Sequence, residues 1–367
     1  MSDLFSTVRL GTATVRNCLA VAPMTTSQSL PDGTVSEAEG AWLERLAAAG
    51  YGTVITCAAA ISRTSIAFHN QLSFGDDAYL PGLSALAARL SRYPSLIVAQ
   101  LCHGGSRAIP TLTGVEAHSA SRYELPQIPG FVPPRELSVA QIEGIVEDFA
   151  RACERAAKAG FGGVEFHGAN GYLFTQFIST MTNHRHDAYG GNLENRARFS
   201  REVVRACRKR VPDGFVLGFR MSFEGGPTET GLDLDENIQI MRWLADDGID
   251  YGHISSLNLF APSLKYPHVT ALEFIRSRID RGLPLIAAGG VMSRSAADRA
   301  MVLGADLVAV GRAAIGNADV PARFAKHEPL TPMPYSRRDL AALQVSPAFL
   351  RYLTTADPVS RLKIVGE

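Results

Sequence analysis

The sequence predicts a single (β/α)8 barrel with long loops after its third and fourth strands. Three observations carry that expectation. Eight short runs rich in Val, Ile, Leu and Ala alternate with segments of helical period. These runs lack a clean two-residue alternation, which suits a parallel sheet covered on both faces. The length, 367 residues, fits one barrel with insertions. An open doubly wound sheet is the competing arrangement, but no GxGxxG follows the first strand.

The elements follow in order. Leu19–Met24 is the first strand, ended by Pro23. Ser36–Ala49 is a helix; Ser36 and Glu39 have capping-box spacing, and Gly50 stops it. Strand Thr53–Thr56, helix Tyr79–Leu90 and strand Leu96–Leu101 come next. Helix Ser138–Ala159 puts Ile142, Ile145, Phe149, Cys153 and Ala156 on one face and ends at Gly160. Strand Val164–His167, helix Glu194–Lys209, strand Phe215–Met221 and helix Asp235–Asp246 continue the alternation. Strand Gly252–Ser255, helix Ala271–Arg281, strand Leu285–Ala288, helix Ser295–Leu303 and strand Leu307–Val310 complete it. Residues 1–330 are expected to form the barrel. Residues 331–367 form a tail that packs on the barrel or reaches a neighbouring subunit, so a homo-oligomer is left open. The connections Cys102–Leu137 and Gly168–Leu193 are long, and long loops in a compact domain are usually functional.

Composition excludes several function classes. Lys+Arg and Asp+Glu both number 36, so the chain has no electrostatic footprint for nucleic acid or an anionic membrane. No apolar stretch approaches the length of a membrane span. The N-terminus has neither a basic n-region nor an apolar h-region, so it reads as a mature start. Five scattered cysteines without CxxC spacing suit free thiols in the cytoplasm.

Polar residues recur at the C-terminal ends of the strands, where such barrels do chemistry. The pairs Gly289-Gly290 and Gly311-Arg312, after strands seven and eight, read as a phosphate site. There glycine lets backbone N–H groups approach, and Arg adds a cation. His167 and Asn170 can converge on one carbonyl oxygen as donors. Tyr172 adds a phenol, with an ordinary pKa of about 10, suited to protonating a carbanion. Glu165 shares the parity of His167, so it points into the barrel and needs a partner; Arg220 is the expected one. The His184-Arg-His186-Asp187 run lacks a third strong ligand at metal spacing and reads as a structured loop, so no metal is expected. Cys57 and Cys102 read as inert packing, and His253 as structural. No GxSxG elbow supports a hydrolase.

With these residues in view, the chain resembles the old yellow enzymes, FMN-dependent ene-reductases on a (β/α)8 barrel. The likeness runs from Leu4-Phe5 to about Asn317. It rests on APMT (Ala22–Thr25), QLCHGG (Gln100–Gly105), HGANGYL (His167–Leu173), NHRHDAYGGNLENRARF (Asn183–Phe199) and VGR (Val310–Arg312), in that order. The resemblance implies that Pro23, Met24, Thr25 and Ala58 line the isoalloxazine, with the Thr25 hydroxyl near its O4 and N5. Gln100 would bind the pyrimidine edge, and Arg220 would sit by N1 and C2=O. Gly289, Gly290, Gly311 and Arg312 would hold the phosphate. His167 and Asn170 would bind the substrate's carbonyl or nitro oxygen, Tyr172 would donate the proton, and NAD(P)H would be the transient hydride donor. Tyr266, in the loop Phe260–Val269, is expected to help shape the pocket. Two departures stand out. Thr26 and Ser27 follow Thr25 where one subgroup has an aromatic residue. The cysteine cluster and second nucleotide-binding domain of the larger relatives do not occur in this sequence. The expected reaction is reduction of the activated C=C bond of an α,β-unsaturated small molecule. A flavin-dependent biosynthetic oxidase or desaturase is the alternative, and a non-flavin phosphate-binding lyase or isomerase the more remote one.

Overall fold

The eight apolar runs close into a parallel barrel. Its strands are β1 (Leu19–Val21), β2 (Thr53–Ala60), β3 (Leu96–Cys102), β4 (Gly163–Gly168), β5 (Val216–Met221), β6 (Tyr251–Ser255), β7 (Leu285–Ala288) and β8 (Leu307–Val310). Each pairs in parallel with the next, and β8 returns to β1. The computed structural model describes residues 3–125, 130–225, 230–355 and 362–365. Each of the first seven strands is followed by a helix of at least eight residues on the outside: α1 (Glu37–Ala48), α2 (Leu80–Leu90), α3 (Val139–Ala159), α4 (Leu193–Arg210), α5 (Leu234–Asp247), α6 (Ala271–Arg278) and α7 (Arg294–Val302). The strands are buried on both faces, which is why their sequences read as continuous apolar runs.

Helix signals act much as the sequence implies. Ser138 and Gln141 cap α3 reciprocally, and Gly160 ends it at φ 95°. At α1 only half of the expected capping box forms. Ser36 accepts from the Glu39 N–H at 3.1 Å, but the Glu39 carboxylate turns inward and accepts from the Thr26 hydroxyl at 2.7 Å. The buried Thr26 hydroxyl takes the Glu39 carboxylate in place of the N-cap amide.

Several features extend the sequence reading. β2 runs to Ala60 through a register shift between Ile55 and Ala58, a bulge that re-aims its C-terminal end. A hairpin, Val8–Leu10 with Ala13–Val15, precedes the barrel. Its Leu10 and Val15 join Ile55, Val98, Val216, Tyr251 and Ile286 in the barrel's interior core. A short helix, Leu173–Ile178, lies inside the long connection after β4. In the tail, helix Pro347–Thr355 sets Phe349 edge-on to Trp42 of α1, with centroids 5.1 Å apart. The Ser346 N–H donates to Gln28 just beyond β1.

Candidate active site

Inward positions of β3 to β6 build a buried polar layer around Glu165. Its carboxylate accepts from Gln100 Nε2 at 2.7 Å and from the Tyr251 hydroxyl at 3.0 Å. His253 Nδ1 lies 2.8 Å away. Gly218 makes this crossing possible, because any Cβ there would collide with the Tyr251 ring. Burial pushes the Glu165 carboxyl up, but His253, the Arg220 charge and the Gln100 bond hold it below the usual range. Burial holds His253 below its ordinary pKa, so a neutral ring with its proton on Nδ1 donates to the carboxylate. Where the sequence pointed to Arg220 as the partner of Glu165, the contacts that hold its carboxylate come from Gln100, Tyr251 and His253.

One layer higher, Arg220 sits level with His167 on one side and His253 on the other. His167 is buried, and its Nδ1 has no hydrogen-bond partner among the described residues. Burial, with the Arg220 and Arg107 charges, holds its pKa well below the ordinary histidine value, so the ring is neutral. Asn170 and Gly171 both have positive φ, 59° and 72°. Together with the Tyr172 N–H to Ala169 C=O bond at 3.4 Å, they carry the Asn-Gly signature of a mirror-image turn. This turn folds Tyr172 back over His167, with ring centroids 4.7 Å apart. The Asn170 N–H donates to Ser222 Oγ at 3.3 Å, which ties the turn to the end of β5.

On the opposite side of the mouth lie glycine turns and small residues. Gly289 and Gly290 follow β7; a Cβ on Gly289 would lie 2.5 Å from the Ser256 carbonyl oxygen. Gly311 follows β8 and is open: an added Cβ would meet nothing nearer than 3.8 Å. Ala22 follows β1, Ala58 lies two residues before the end of β2 and Ala288 ends β7, all with small side chains.

A family model described as the NADH:flavin oxidoreductase / NADH oxidase family matches residues 3–331. The chain belongs to this family. That places it among FMN-dependent NAD(P)H oxidoreductases of the old yellow enzyme type. It is similar to the old yellow enzyme homologue of Zymomonas mobilis, with a TM-score of 0.81, 27% identity and coverage of 92% of this chain and 96% of that one. It is 35% identical to a probable NADH-dependent flavin oxidoreductase of Bacillus subtilis over 82% of this chain and 81% of the relative. It is 34% identical over 86% of its length to the NADH:fumarate oxidoreductase of Klebsiella pneumoniae, but spans only 35% of that larger protein.

The site fits the FMN of this family. Glycine turns with room at Gly311 suit a phosphate, with the exposed Arg312 adjoining. Small strand ends leave space for a flat ring. The bond from Gln100 Nε2 to Glu165 leaves Oε1 as the amide atom that accepts from a ligand. Pro23, Met24 and Thr25 continue β1 toward the mouth, and the Thr26–Glu39 bond anchors the segment from behind.

The predicted residues are not all brought together. Tyr266 stacks on Phe274 of α6 at 4.3 Å, and its hydroxyl donates to Asp235 of α5 at 2.7 Å. These contacts direct it to the outer helices, because Asp235 offers a stronger acceptor than the pocket. The His184–Asp187 run serves the loop: Arg185 is buried and donates to Asp187 and to the Ala120 and Leu137 carbonyls. Burial, with Glu39 alongside, pushes the Cys57 thiol well up, and burial does the same to Cys102. Sequence reasoning missed Arg107. Its Nη1 donates to the Asn170 carbonyl at 2.6 Å, and its guanidinium lies 5.1 Å from the Tyr172 ring centroid. The available signal was its place four residues after His103, on the loop after β3.

Proposed function

We propose that the chain reduces the activated C=C bond of an α,β-unsaturated carbonyl or related compound at the expense of NAD(P)H. The observation that carries this reading is the convergence of a neutral, buried His167, the Asn170 turn and Tyr172 at the barrel mouth, beside a cradle suited to FMN. The chemistry a bound FMN supplies is two-electron hydride exchange between the nicotinamide and the β-carbon of the alkene.

Pro23, Met24, Thr25, Ala58, Gln100 and Arg220 would border its ring system, and Gly289, Gly290, Gly311 and Arg312 its phosphate. His167 and Asn170 hold the activating oxygen. A neutral imidazole donates one hydrogen bond and leaves the oxygen unprotonated, so its contribution grows as negative charge develops there. Tyr172 delivers a proton to the α-carbon, and the Arg107 guanidinium steadies the phenolate left behind. The C=C π bond is lost, two C–H bonds form, and NAD(P)H is oxidised to NAD(P)+ with uptake of one proton. Tyr266 has no contact that supports a part in this chemistry.

The test is anaerobic titration of the purified yellow protein with NADH and NADPH, followed by a panel of enones, nitroalkenes and quinones. Saturated product formed from enones supports the reading. Rapid flavin reduction with no alkene reduced by any member of the panel overturns it.

A further inference from the structure

We propose that Arg107 recognises an anionic group, specifically a carboxylate, carried by the alkene substrate in addition to its activating carbonyl. This inference rests on the alkene-reductase reading above and narrows its substrate class.

Arg107 ends a single turn of 3-10 helix, Gly105–Arg107, directly after β3. The turn is held firmly. The Ser106 N–H donates to Gln176 Oε1 at 3.0 Å, and the Tyr123 hydroxyl donates to Ser106 Oγ at 2.6 Å. Gly105 has φ 60°, and a Cβ there would collide with the Gln176 amide, so turn and amide are in close register. Gln176 Nε2 also donates to the Gly171 carbonyl at 2.8 Å, which couples this turn to the one that carries Asn170. The base of Arg107 is thus built into the same frame as the substrate donors.

The head of Arg107 is placed over that frame. Nη1 is committed to the Asn170 carbonyl, and the guanidinium plane lies near the Tyr172 ring. The residue is nevertheless exposed, and among the described residues no carboxylate pairs with it. A guanidinium has five N–H donors in a planar fork, and one carbonyl cannot satisfy them. The chemistry matched to the remaining edge is a carboxylate taken up through two parallel bonds. A substrate whose carbonyl oxygen lies on His167 and Asn170 would extend a carboxylate toward this edge.

The test compares 3-benzoylacrylic acid with its methyl ester, which share the activated alkene and differ in charge. Both are assayed with the holoenzyme and with R107M and R107K. R107M also removes the bond to Asn170, so both substrates slow, and the acid-to-ester ratio of kcat/KM is the quantity read. The expected result is a fall in that ratio of about tenfold in R107M, the scale of one charge-assisted bond at a part-solvated site. R107K recovers part of it, since the charge stays and the fork is lost. An unchanged ratio with continued ester reduction overturns the role of Arg107 and leaves the reductase reading intact. An unchanged ratio with a raised KM for NADPH assigns the cation to the dinucleotide and also overturns it. Failure of the wild-type protein to reduce either compound overturns this proposal, and failure with the whole panel as well, while NAD(P)H still bleaches the flavin, overturns the reductase reading with it.

Discussion

The His167 and Tyr172 rings pack against one another at the end of β4, with centroids 4.7 Å apart and planes inclined at 60°. Four residues separate them in sequence, and the Asn170-Gly171 turn closes that interval. A strand end supplies the imidazole, a turn supplies the amide, and the start of a short helix supplies the phenol. Each donor therefore has a different backbone support, and the turn between them is tied to Ser222 and to Gln176 by hydrogen bonds of 3.3 and 2.8 Å. That is the kind of rigidity an oxyanion-binding site requires.

His167→Ala should cut kcat for enone reduction by about 10²–10³-fold, the usual cost of one oxyanion donor. FMN content should stay at the wild-type level, because the phosphate cradle lies on the other side of the mouth. Asn170 is better replaced by glycine than alanine, since its φ of 59° strains an ordinary side chain. Asn170→Gly keeps the turn and removes the amide. Rapid-mixing kinetics with the prereduced enzyme measure both variants. Wild-type rates in either would remove that residue from the oxygen site.

Tyr172→Phe should slow reoxidation by enones by about 10²-fold or more, consistent with loss of a general acid. Reduction of the flavin by NAD(P)H needs no proton from this residue and should stay near the wild-type rate. Stopped-flow absorbance separates the two half-reactions. A selective loss in the reductive half would move Tyr172 from proton transfer to nicotinamide binding.

Gly311→Ala tests the phosphate cradle. The apoprotein has room for the added Cβ, whose nearest neighbours would be Ala22 and Met24 at 3.8 and 3.9 Å. Its thermal midpoint should therefore hardly move. FMN affinity should fall by about tenfold, because the methyl occupies space proposed for the phosphate. Fluorescence titration of apoprotein with FMN gives the comparison. Full affinity in this variant would place the phosphate elsewhere.

Much of this fold was legible because parallel strands buried on two faces leave an unmistakable apolar run, and because Ser138 and Gly160 punctuate α3 so strongly. The Asn170-Gly171 pair likewise announces its own turn. What escaped depends on contacts distant in sequence. Glu39 looks like a capping residue until Thr26 is brought beside it. Arg107 looks like an ordinary loop cation until the turn after β4 delivers Asn170 and Tyr172 to it. Leu10 and Val15 end three-residue strands too short to register, yet the barrel's interior core includes both. Tyr266 shows the converse failure: a loop aromatic near the mouth was drawn outward by Asp235 and Phe274.

Buried neutral histidines should set the acid limit of stability. Burial lowers His103 to about 3, and burial holds His167 and His253 below the ordinary value. An unfolded chain protonates these rings near pH 6.5, whereas the folded protein resists. Between the folded and unfolded values the unfolded state binds more protons, so stability is complete above pH 6.5 and declines as pH falls below it. Each such ring contributes a slope of up to about 1.4 kcal/mol per pH unit until its folded pKa is reached. Urea midpoints at pH 7.5, 6.5 and 5.5 should be level over the first interval and fall over the second. His103→Gln can still accept the Gly105 N–H, now bonded to Nδ1 at 3.0 Å, without adding a titrating group. It should flatten the acid slope by the share of one ring. A variant whose midpoint falls as steeply as wild type between pH 6.5 and 5.5 would show that His103 is protonated in the fold, and that its buried site is more accommodating than its packing implies.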